Sequence, residues 1–410
     1  MNYIQHQYNE LLVNLSSELD IPPSKYQQAV ERYKSVGNWL QEGIYENCTN
    51  ELDIYPQGSF RLGTVVRPIK KDAEADYDID LVCCLPVFKM LTTPEKVKIQ
   101  VGNRLKENAI YKKMLDEEGR RCWTLNYAEQ DDIGFHIDIL PSVPEEKQLI
   151  DIVSVTVPIE YACQAIAITN KNEAREYSWL SSNPKGYASW FEQINLLMLT
   201  QVEKPQKRSL FENNRHLFES VDDVPTQLVK TPLQRVIQIL KRHRDMRFIG
   251  TEFEEDKPIS MIITTLAARL YQNQGDVYST LKNIVYRLAA YSVLLQPEIS
   301  FAEDTLNSNL ISKRPDGTWY IPNPVNLAEN FADRWHENGN RKAKAFFQWI
   351  EWVNNDLLDV LAQNDFRQIS KSLENAMGEK LVKKALGYSA TPQSIYTPTI
   401  DIKPSKPWGL

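Results

Sequence analysis

The chain has 410 residues, of which 42% are hydrophobic, and its formal net charge is -7. A chain of this size can build two domains or one large bilobal protein. Its acidity argues against holding long nucleic acid through counterion release, so we expect no such partner. It has no run of about 18 apolar residues and no signal-peptide pattern at its start. We therefore expect no membrane association and a cytoplasmic protein.

Residues 1–48 are predicted to be helical. Pro22 and Pro23 can open a second helix, in which Ala29, Val36 and Leu40 recur at helical spacing. We expect these helices to brace the core of the protein.

Residues 49–230 show mostly short strand-like runs, with one helix predicted over 93–108. Strands are predicted over 120–127, 135–140, 150–158 and 164–170. Turn residues predict a loop over 181–186, and the basic, polar stretch 204–216 is interpreted as a mobile connection. This mixture predicts an α/β lobe.

The most informative run in this lobe is YDIDLVCCL, which contains Asp78 and Asp80. The period of two in a strand turns both carboxylates to one face and Tyr77, Ile79 and Leu81 to the other. Two adjacent carboxylates repel each other unless a cation lies between them. The pair therefore suggests a divalent metal site.

A third acid, Asp138, occurs in the strand-like run GFHIDIL. Phe135, Ile137 and Ile139 would share one face of that strand, so Asp138 would project from the other. Three converging carboxylates are the minimum for a two-metal site that activates a hydroxyl and neutralises a leaving pyrophosphate. We expect Asp138 to point into the same pocket as the first pair.

Gly58 and Ser59 end another apolar run, LDIYPQGS. A glycine lets backbone approach a phosphate closely, and a hydroxyl adds a hydrogen-bond donor. Arg61 and Thr64 follow and could also donate to phosphate, although a surface arginine and a turn threonine are equally good interpretations.

Residues 231–388 are predicted to form a helical lobe. Thr231 and Pro232 suit the N-cap and first turn of a helix, and further helices are predicted over 258–271, 276–295, 325–355 and 366–386. Ser260 would lie near a helix start, where a hydroxyl and free backbone N–H groups can meet an anion. Four prolines predict an extended tail over 389–410.

Gly-Ser, the D-x-D pair and the later single acid together resemble the DNA polymerase β-like nucleotidyltransferases. The stretches at 175–191, 231–245, 257–270 and 321–335 are similar to bacterial cyclic-oligonucleotide synthases of anti-phage signalling, which are related to oligoadenylate synthetase. The resemblance implies an α+β, bilobal fold with a sheet lobe and a helical lobe. It also implies that nucleoside triphosphates are joined into a cyclic di- or trinucleotide with two Mg²⁺ ions, or Mn²⁺ instead.

The same resemblance assigns further residues and partners. It implies that Lys241 contacts the triphosphate and that Asn330 and Asp333 are polar candidates facing the nucleotide. Some systems of the family encode an ancillary protein that acts on the carboxyl terminus of the synthase, and we expect a monomer. Two alternatives remain open: a linear or tRNA nucleotidyltransferase, and a catalytically inactive nucleotide-binding regulator.

Overall fold

The computed structural model describes residues 3–48, 50–67, 69–70, 73–74, 76–127, 134–296, 310–363 and 366–387. The predicted tail over 389–410 lies outside these residues. The strands are β1 (Asp53–Gln57), β2 (Ile69–Lys70), β3 (Ala73–Glu74), β4 (Tyr77–Cys84), β5 (Trp123–Tyr127), β6 (Phe135–Pro144), β7 (Ile166–Lys171), β8 (Tyr177–Ser182), β9 (Ser312–Lys313), β10 (Trp319–Tyr320), β11 (Pro322–Asn323) and β12 (Asn326–Asn330). The α-helices are α1 (Tyr3–Glu18), α2 (Pro23–Gln41), α3 (Gly58–Arg61), α4 (Pro94–Glu107), α5 (Ala109–Met114), α6 (Lys147–Val153), α7 (Ile159–Ala162), α8 (Pro184–Asn213), α9 (Pro232–Phe248), α10 (Ser260–Leu270), α11 (Val277–Ala289), α12 (Glu337–Leu357), α13 (Phe366–Met377) and α14 (Glu379–Ala385).

A mixed sheet forms the amino-terminal part of the fold. Its strand order is β1-β4-β6-β7-β8, and β5 also pairs with β6. The strands β4 and β6 run parallel, whereas the other pairs in this sheet are antiparallel. The two central strands therefore begin at the same end of the sheet. Strands β11 and β12 form a separate two-stranded ribbon.

The two faces of the central strands differ in chemistry, as the period of two predicts. Tyr77, Ile79 and Leu81 are buried in a core that includes residues of α2 and α4. Residues of β4 that alternate with them, such as Val82, lie in a smaller cluster with Leu140 of β6. This second face is the one that carries the acidic residues.

A second core is helical. It combines apolar residues of α1, the first half of α8, and α9 to α14. Helix α1 is tied to it by the Tyr8 hydroxyl, which donates to the backbone oxygen of Leu357 at 2.7 Å. Helix α2, by contrast, packs with the sheet. Within the described residues, no helix has the length and apolar character needed to cross a membrane.

The mixed α/β class is confirmed, but several predicted elements are wrong. The run 150–158 was expected to be a strand, yet α6 covers its first residues and turns follow. The expected loop over 181–186 contains the end of β8 and the start of α8, and α8 continues through most of the expected mobile connection over 204–216. The helix predicted over 325–355 is preceded by strand β12 and begins only at Glu337.

Candidate active site

Three carboxylates lie on the same face at the start of the parallel strands. Asp80 of β4 stands opposite Asp138 of β6 in the register, and Asp78 stands opposite His136. Opposite residues of neighbouring strands point to the same side of a sheet, and so do residues two apart on one strand. The structure therefore brings the three predicted acids together on one face.

The surroundings of the three acids differ. Asp78 is open to solvent, with a side chain 75% exposed, and its Oδ1 lies 3.5 Å from Nδ1 of His136. Asp138 accepts a hydrogen bond from the Thr124 hydroxyl at 2.5 Å. Desolvation, followed by the charges of Asp138 and Asp78, raises the pKa of Asp80 to about 7. The neighbouring carboxylates thus disfavour the ionised form of Asp80. A bound cation would relieve this repulsion.

The turn that follows β1 approaches Asp80 very closely. Gln57 pairs with Asp80 across β1 and β4, so Gly58 begins its turn beside that carboxylate. Gly58 has φ +63°, and a Cβ there would lie 2.2 Å from Asp80 Oδ2. Only glycine meets both conditions. The Gly58–Ser59 turn is therefore fixed against the acidic face.

A cavity of about 260 Å³ opens beside this turn. Gly58, Arg61 and Asp80 line it from the sheet side. Residues from elsewhere in the chain complete it, and they include Arg121, Asn183, Tyr187, Met261, Glu329 and Phe331. A larger cavity of about 990 Å³ lies between residues of α8, α10 and the ribbon, and none of the three acids lines it. Of the three acids, Asp80 lines the smaller cavity, whereas Asp78 and Asp138 lie outside its lining.

The acids suit a divalent cation in type, since Mg²⁺ prefers carboxylate oxygens. Within the described part of the chain, however, no three His, Cys, Asp or Glu side chains are close enough to share one ion as they stand. Asp78 is turned toward His136, and Asp76 contacts the other nitrogen of that ring at 3.1 Å. Because Asp78 is exposed, its side chain can rotate away from His136 without disturbing the core. The residues fit a metal site that is completed by such a rotation.

Two of the predicted phosphate contacts lie behind the turn. The ammonium of Lys241 donates to the Thr64 backbone oxygen at 3.1 Å and to its hydroxyl at 3.2 Å. Both residues are buried, and neither lines the cavity. Desolvation, aided by the charge of Arg244, lowers the pKa of Lys241 to about 7. Helix α9 thus places Lys241 inside the protein, against the segment that follows the Gly58–Ser59 turn.

Four other predicted residues also lie off the cavity lining, namely Ser59, Ser260, Asn330 and Asp333. Ser260 is exposed at the start of α10, and its hydroxyl accepts a hydrogen bond from Arg244 at 3.1 Å. Asn330 is used within the ribbon: its Oδ1 accepts from the backbone N–H groups of Ile321 and Ala332, and its Nδ2 donates to the Trp319 backbone oxygen. Asp333 is exposed. The segment predicted to face the nucleotide contributes Glu329 and Phe331 instead.

The segment that carries the turn and the acids is similar to a known family. Residues 53–141, from β1 into β6, match the family model described as the nucleotidyltransferase domain of cyclic GMP-AMP synthase DncV-like proteins. This segment contains the Gly58–Ser59 turn and all three acids. We refer to residues 53–141 as the DncV-like domain, after this similarity.

Similarity extends well beyond the DncV-like domain. The chain is 29% identical over 351 residues to a c-di-GMP synthase of Roseivirga ehrenbergii, which covers 85% of this chain and 77% of that protein. It is 24% identical over 343 residues to the cyclic dinucleotide synthase CdnG of Bradyrhizobium diazoefficiens, covering 80% and 70%. Most of the chain is thus similar in sequence to synthases of cyclic dinucleotides.

Solved structures agree on the fold. The Bradyrhizobium diazoefficiens CD-NTase CdnG in complex with GTP superposes with a TM-score of 0.63 at 20% identity, over 93% of this chain and 98% of that one. An E. coli CdnC with ATP gives a TM-score of 0.57 at 14% identity, over 90% and 97%. The DncV-like domain and the helical part therefore share one arrangement with these proteins.

Proposed function

We propose that this chain is a nucleotidyltransferase that joins nucleoside triphosphates into a cyclic di- or trinucleotide. The observation that carries the proposal is the register of Asp80 against Asp138, with Asp78 on the same face, inside the DncV-like domain and beside the cavity that Asp80 lines. The Roseivirga and Bradyrhizobium relatives are themselves named as synthases of cyclic dinucleotides. A role in anti-phage signalling is part of the proposal.

DncV-like nucleotidyltransferases generally depend on divalent metal. We propose two Mg²⁺ ions here, with Mn²⁺ as a substitute, held by Asp78, Asp80 and Asp138. The bound ions would supply positive charge that eases deprotonation of the acceptor hydroxyl and neutralises the leaving pyrophosphate. Binding would also lower the pKa of Asp80, because the cation offsets its carboxylate neighbours.

In each transfer, the acceptor hydroxyl oxygen forms a bond to the α-phosphorus of the donor, and the bond from that phosphorus to the pyrophosphate oxygen breaks. Asp138 takes the hydroxyl proton, and the Thr124 hydroxyl holds its Oδ1 so that Oδ2 can face the acceptor. A further transfer within the linear intermediate closes the ring.

The donor phosphates are held by the Gly58–Ser59 turn and by Arg61. Backbone N–H groups can approach phosphate at Gly58, and Arg61 lines the cavity, where it pairs with Glu192 at 2.9 Å. Thr64 and Lys241 support the turn from behind. Ser260 acts indirectly through Arg244, and Asn330 acts through the ribbon. A contact of Asp333 with the nucleotide remains a prediction from the sequence. An ancillary protein acting on the carboxyl terminus, a monomeric state and a cytoplasmic location remain predictions from the sequence.

The test is to incubate the purified protein with radiolabelled ATP, GTP, CTP and UTP plus Mg²⁺ and then to add phosphatase. A phosphatase-resistant product identified by mass spectrometry is expected. A phosphatase-sensitive ladder would indicate a linear polymerase, and no product would indicate an inactive regulator.

Two variants link the product to the acids. Asp80→Asn and Asp138→Asn should abolish synthesis while the protein keeps its melting temperature. The matched control is Asp53→Asn, because Asp53 is an acid of β1 whose partner is Lys185 rather than the acidic face. Full activity in Asp80→Asn or Asp138→Asn would remove that residue from the mechanism.

A further inference from the structure

Glu329 brings a carboxylate into the same cavity from the ribbon. It lies on β12 and lines the cavity together with Gly58 and Asp80. Hydrogen bonds attach the ribbon to the end of β8 and to the residue after it: Asn183 Nδ2 donates to the Val325 backbone oxygen, and Asn326 Nδ2 donates to the Ser181 hydroxyl. Glu329 therefore reaches the cavity from a ribbon that is hydrogen-bonded to the end of β8 and to the residue after it.

The hydrogen bonds of Glu329 leave acceptor capacity on one oxygen. Asn323 Nδ2 donates to Oε2 at 2.8 Å. The single proton of the Ser182 hydroxyl serves both oxygens, at 3.1 Å to Oε2 and 3.3 Å to Oε1. An ionised carboxylate has about four acceptor sites. Among the contacts of the described residues, Oε1 thus receives only the longer, shared bond.

The charge on Glu329 is weakly compensated. Desolvation raises the pKa of Glu329, and the bonds from Asn323 and Ser182 and the charge of Arg121 offset this only in part. Arg121 lines the cavity and is exposed. A ligand that donates hydrogen bonds to Glu329 would stabilise its ionised form.

A guanine base has the matching edge. Its N1–H and its N2 amino group are neighbouring donors on one side of the ring, whereas adenine has an unprotonated N1 at the corresponding place. A carboxylate accepts from the first pattern and repels the lone pair of the second. The ring of Phe331, which also lines the cavity, offers a surface on which a base can stack.

We propose that Glu329 selects guanine, by accepting hydrogen bonds from N1–H and the N2 amino group of a guanine nucleotide bound in this cavity. The inference rests on the proposed function, because it assumes that the cavity holds a substrate nucleotide. A site built to pair with specific donors rejects an analogue that lacks them, since its own buried group is then left unpaired.

The test measures binding rather than turnover. Isothermal titration with Mg²⁺ would use α,β-methylene triphosphates, which cannot release pyrophosphate, carrying guanine, hypoxanthine or adenine. Hypoxanthine keeps N1–H but lacks the N2 amino group. We expect affinity to fall in the order guanine, hypoxanthine, adenine. Glu329→Gln should weaken guanine binding by roughly 10- to 100-fold, the loss expected for a hydrogen bond to a charged group.

The matched control is Glu118→Gln. Glu118 also accepts two side-chain hydrogen bonds, from Lys171 and Tyr177, but it does not line the cavity. The Glu118→Gln variant should leave the order of affinities for guanine, hypoxanthine and adenine unchanged. Melting temperatures of both variants would separate the loss of a contact from the loss of the fold. Asn323→Asp is a second variant that should change guanine affinity, because it removes the amide donor to Glu329 Oε2 while keeping the shape of the side chain.

The guanine selectivity of Glu329 and the synthase function can fail independently, and different results would show each failure. Equal losses for guanine and adenine in Glu329→Gln, or a wild-type preference for adenine, would overturn the assignment of Glu329 even if the protein makes a cyclic product. Guanine selectivity that depends on Glu329, in a protein that makes no product with any triphosphate, would support the assignment and contradict the synthase function.

Discussion

At the scale of single residues, Gly58 lies so near Asp80 that a Cβ at this position would clash with the carboxylate. Gly58→Ala should destabilise the protein by roughly 2–4 kcal/mol, because it adds a left-handed backbone cost to a clash with the carboxylate. Asp80 would have to move, and a misplacement of about 1 Å can lower a rate on the order of 100-fold. Chemical denaturation and product formation would measure the two effects.

Gly250 provides the matched control for that variant. It has φ +70°, but nothing lies within 4 Å of the position a Cβ would take. Gly250→Ala should therefore lower the free energy of unfolding only by the cost of a left-handed backbone, about 1–2 kcal/mol, and leave synthesis intact. Equal destabilisation of the two variants would show that the turn can move away from Asp80 without strain.

The sequence alone could assign a residue to the site only where the local strand pattern determines the direction of its side chain. Asp78, Asp80 and Asp138 alternate with buried apolar residues, so the strand pattern places each of them on the side of its own strand opposite the core. That Asp138 shares a face with the other two follows only from the pairing of β4 with β6. Lys241 could not be placed this way, because its contact with Thr64 joins segments distant in the chain. Glu329 was not predicted, because a single glutamate in a short ribbon gives no periodic pattern and its cavity is formed by segments distant in the chain.

At the scale of elements, Asn183 joins three pieces of structure. Its Oδ1 accepts from the Gly186 N–H at the start of α8, and its Nδ2 donates to the backbone oxygens of Tyr161 and Val325. Asn183→Ala removes a helix cap and leaves the buried carbonyl of Val325 and the partly buried carbonyl of Tyr161 without this donor. We expect a loss of roughly 2–4 kcal/mol in the free energy of unfolding and weaker guanine binding.

Asn108→Ala is the control, because Asn108 caps α5 through the N–H groups of Ile110 and Tyr111 alone. Asn108→Ala should lower the free energy of unfolding by about 1 kcal/mol and leave nucleotide binding unchanged. If Asn183→Ala proved no more costly than Asn108→Ala, the ribbon would not depend on Asn183 for its position.

Helix α4 contains a buried lysine, which predicts a pH dependence. Lys98 is fully buried and its Nζ donates to the Gly119 backbone oxygen at 2.6 Å. Desolvation lowers the pKa of Lys98 to about 8. Between that pH and the ordinary lysine pKa the unfolded chain binds more protons than the folded one, so the contribution of Lys98 to stability should rise with pH.

Lys98→Met lacks this contribution. The difference in unfolding free energy between wild type and Lys98→Met, measured by urea titration, should shift in favour of the wild type by about 1–2 kcal/mol from pH 7.5 to 9.5. Taking the difference removes the other titrating groups. A difference that stays constant over this range would show that Lys98 is hydrated in the folded protein.

The elements that sequence patterns predicted poorly are those whose partners are remote. The β-branched run 150–158 favours a strand locally, but α6 begins at Lys147 and takes its first part. The polar stretch after Lys204 lacks an apolar stripe, yet it continues α8, where the Gln206 side chain bonds with both backbone groups of Lys230. Strongly periodic elements, such as β4, β6 and α9, were correct because their own pattern suffices.

At the scale of the whole molecule, α9 joins the helical core to the candidate site. Gln234 donates to the Leu62 backbone oxygen and Gln238 to that of Val65, both at 2.9 Å. Arg235 pairs with Asp20, between α1 and α2, at 2.6 Å. The segment after the Gly58–Ser59 turn is thus held by a helix of the other core, and a shift of α9 would move the turn.

The amino-terminal segment and α8 also cross the predicted domain boundary at 231. Tyr8, Leu11 and Leu15 of α1 are buried in the helical core, and so is Phe191 of α8. Burying one such side chain stabilises a fold by roughly 1.5–3 kcal/mol, so these four together approach the whole stability of a typical domain, about 5–15 kcal/mol. The residues 231–388 therefore lack part of their own core.

We predict that the fragment 231–388 does not fold alone. It should show no near-ultraviolet circular dichroism and no cooperative thermal transition, because α1 and α8 are missing from its core. Co-expression with the fragment 1–230 should restore both signals, whereas co-expression with 49–230, which supplies α8 but lacks α1, should not. A cooperative transition in 231–388 by itself would show that the helical lobe is an independent domain and that α1 only covers its surface.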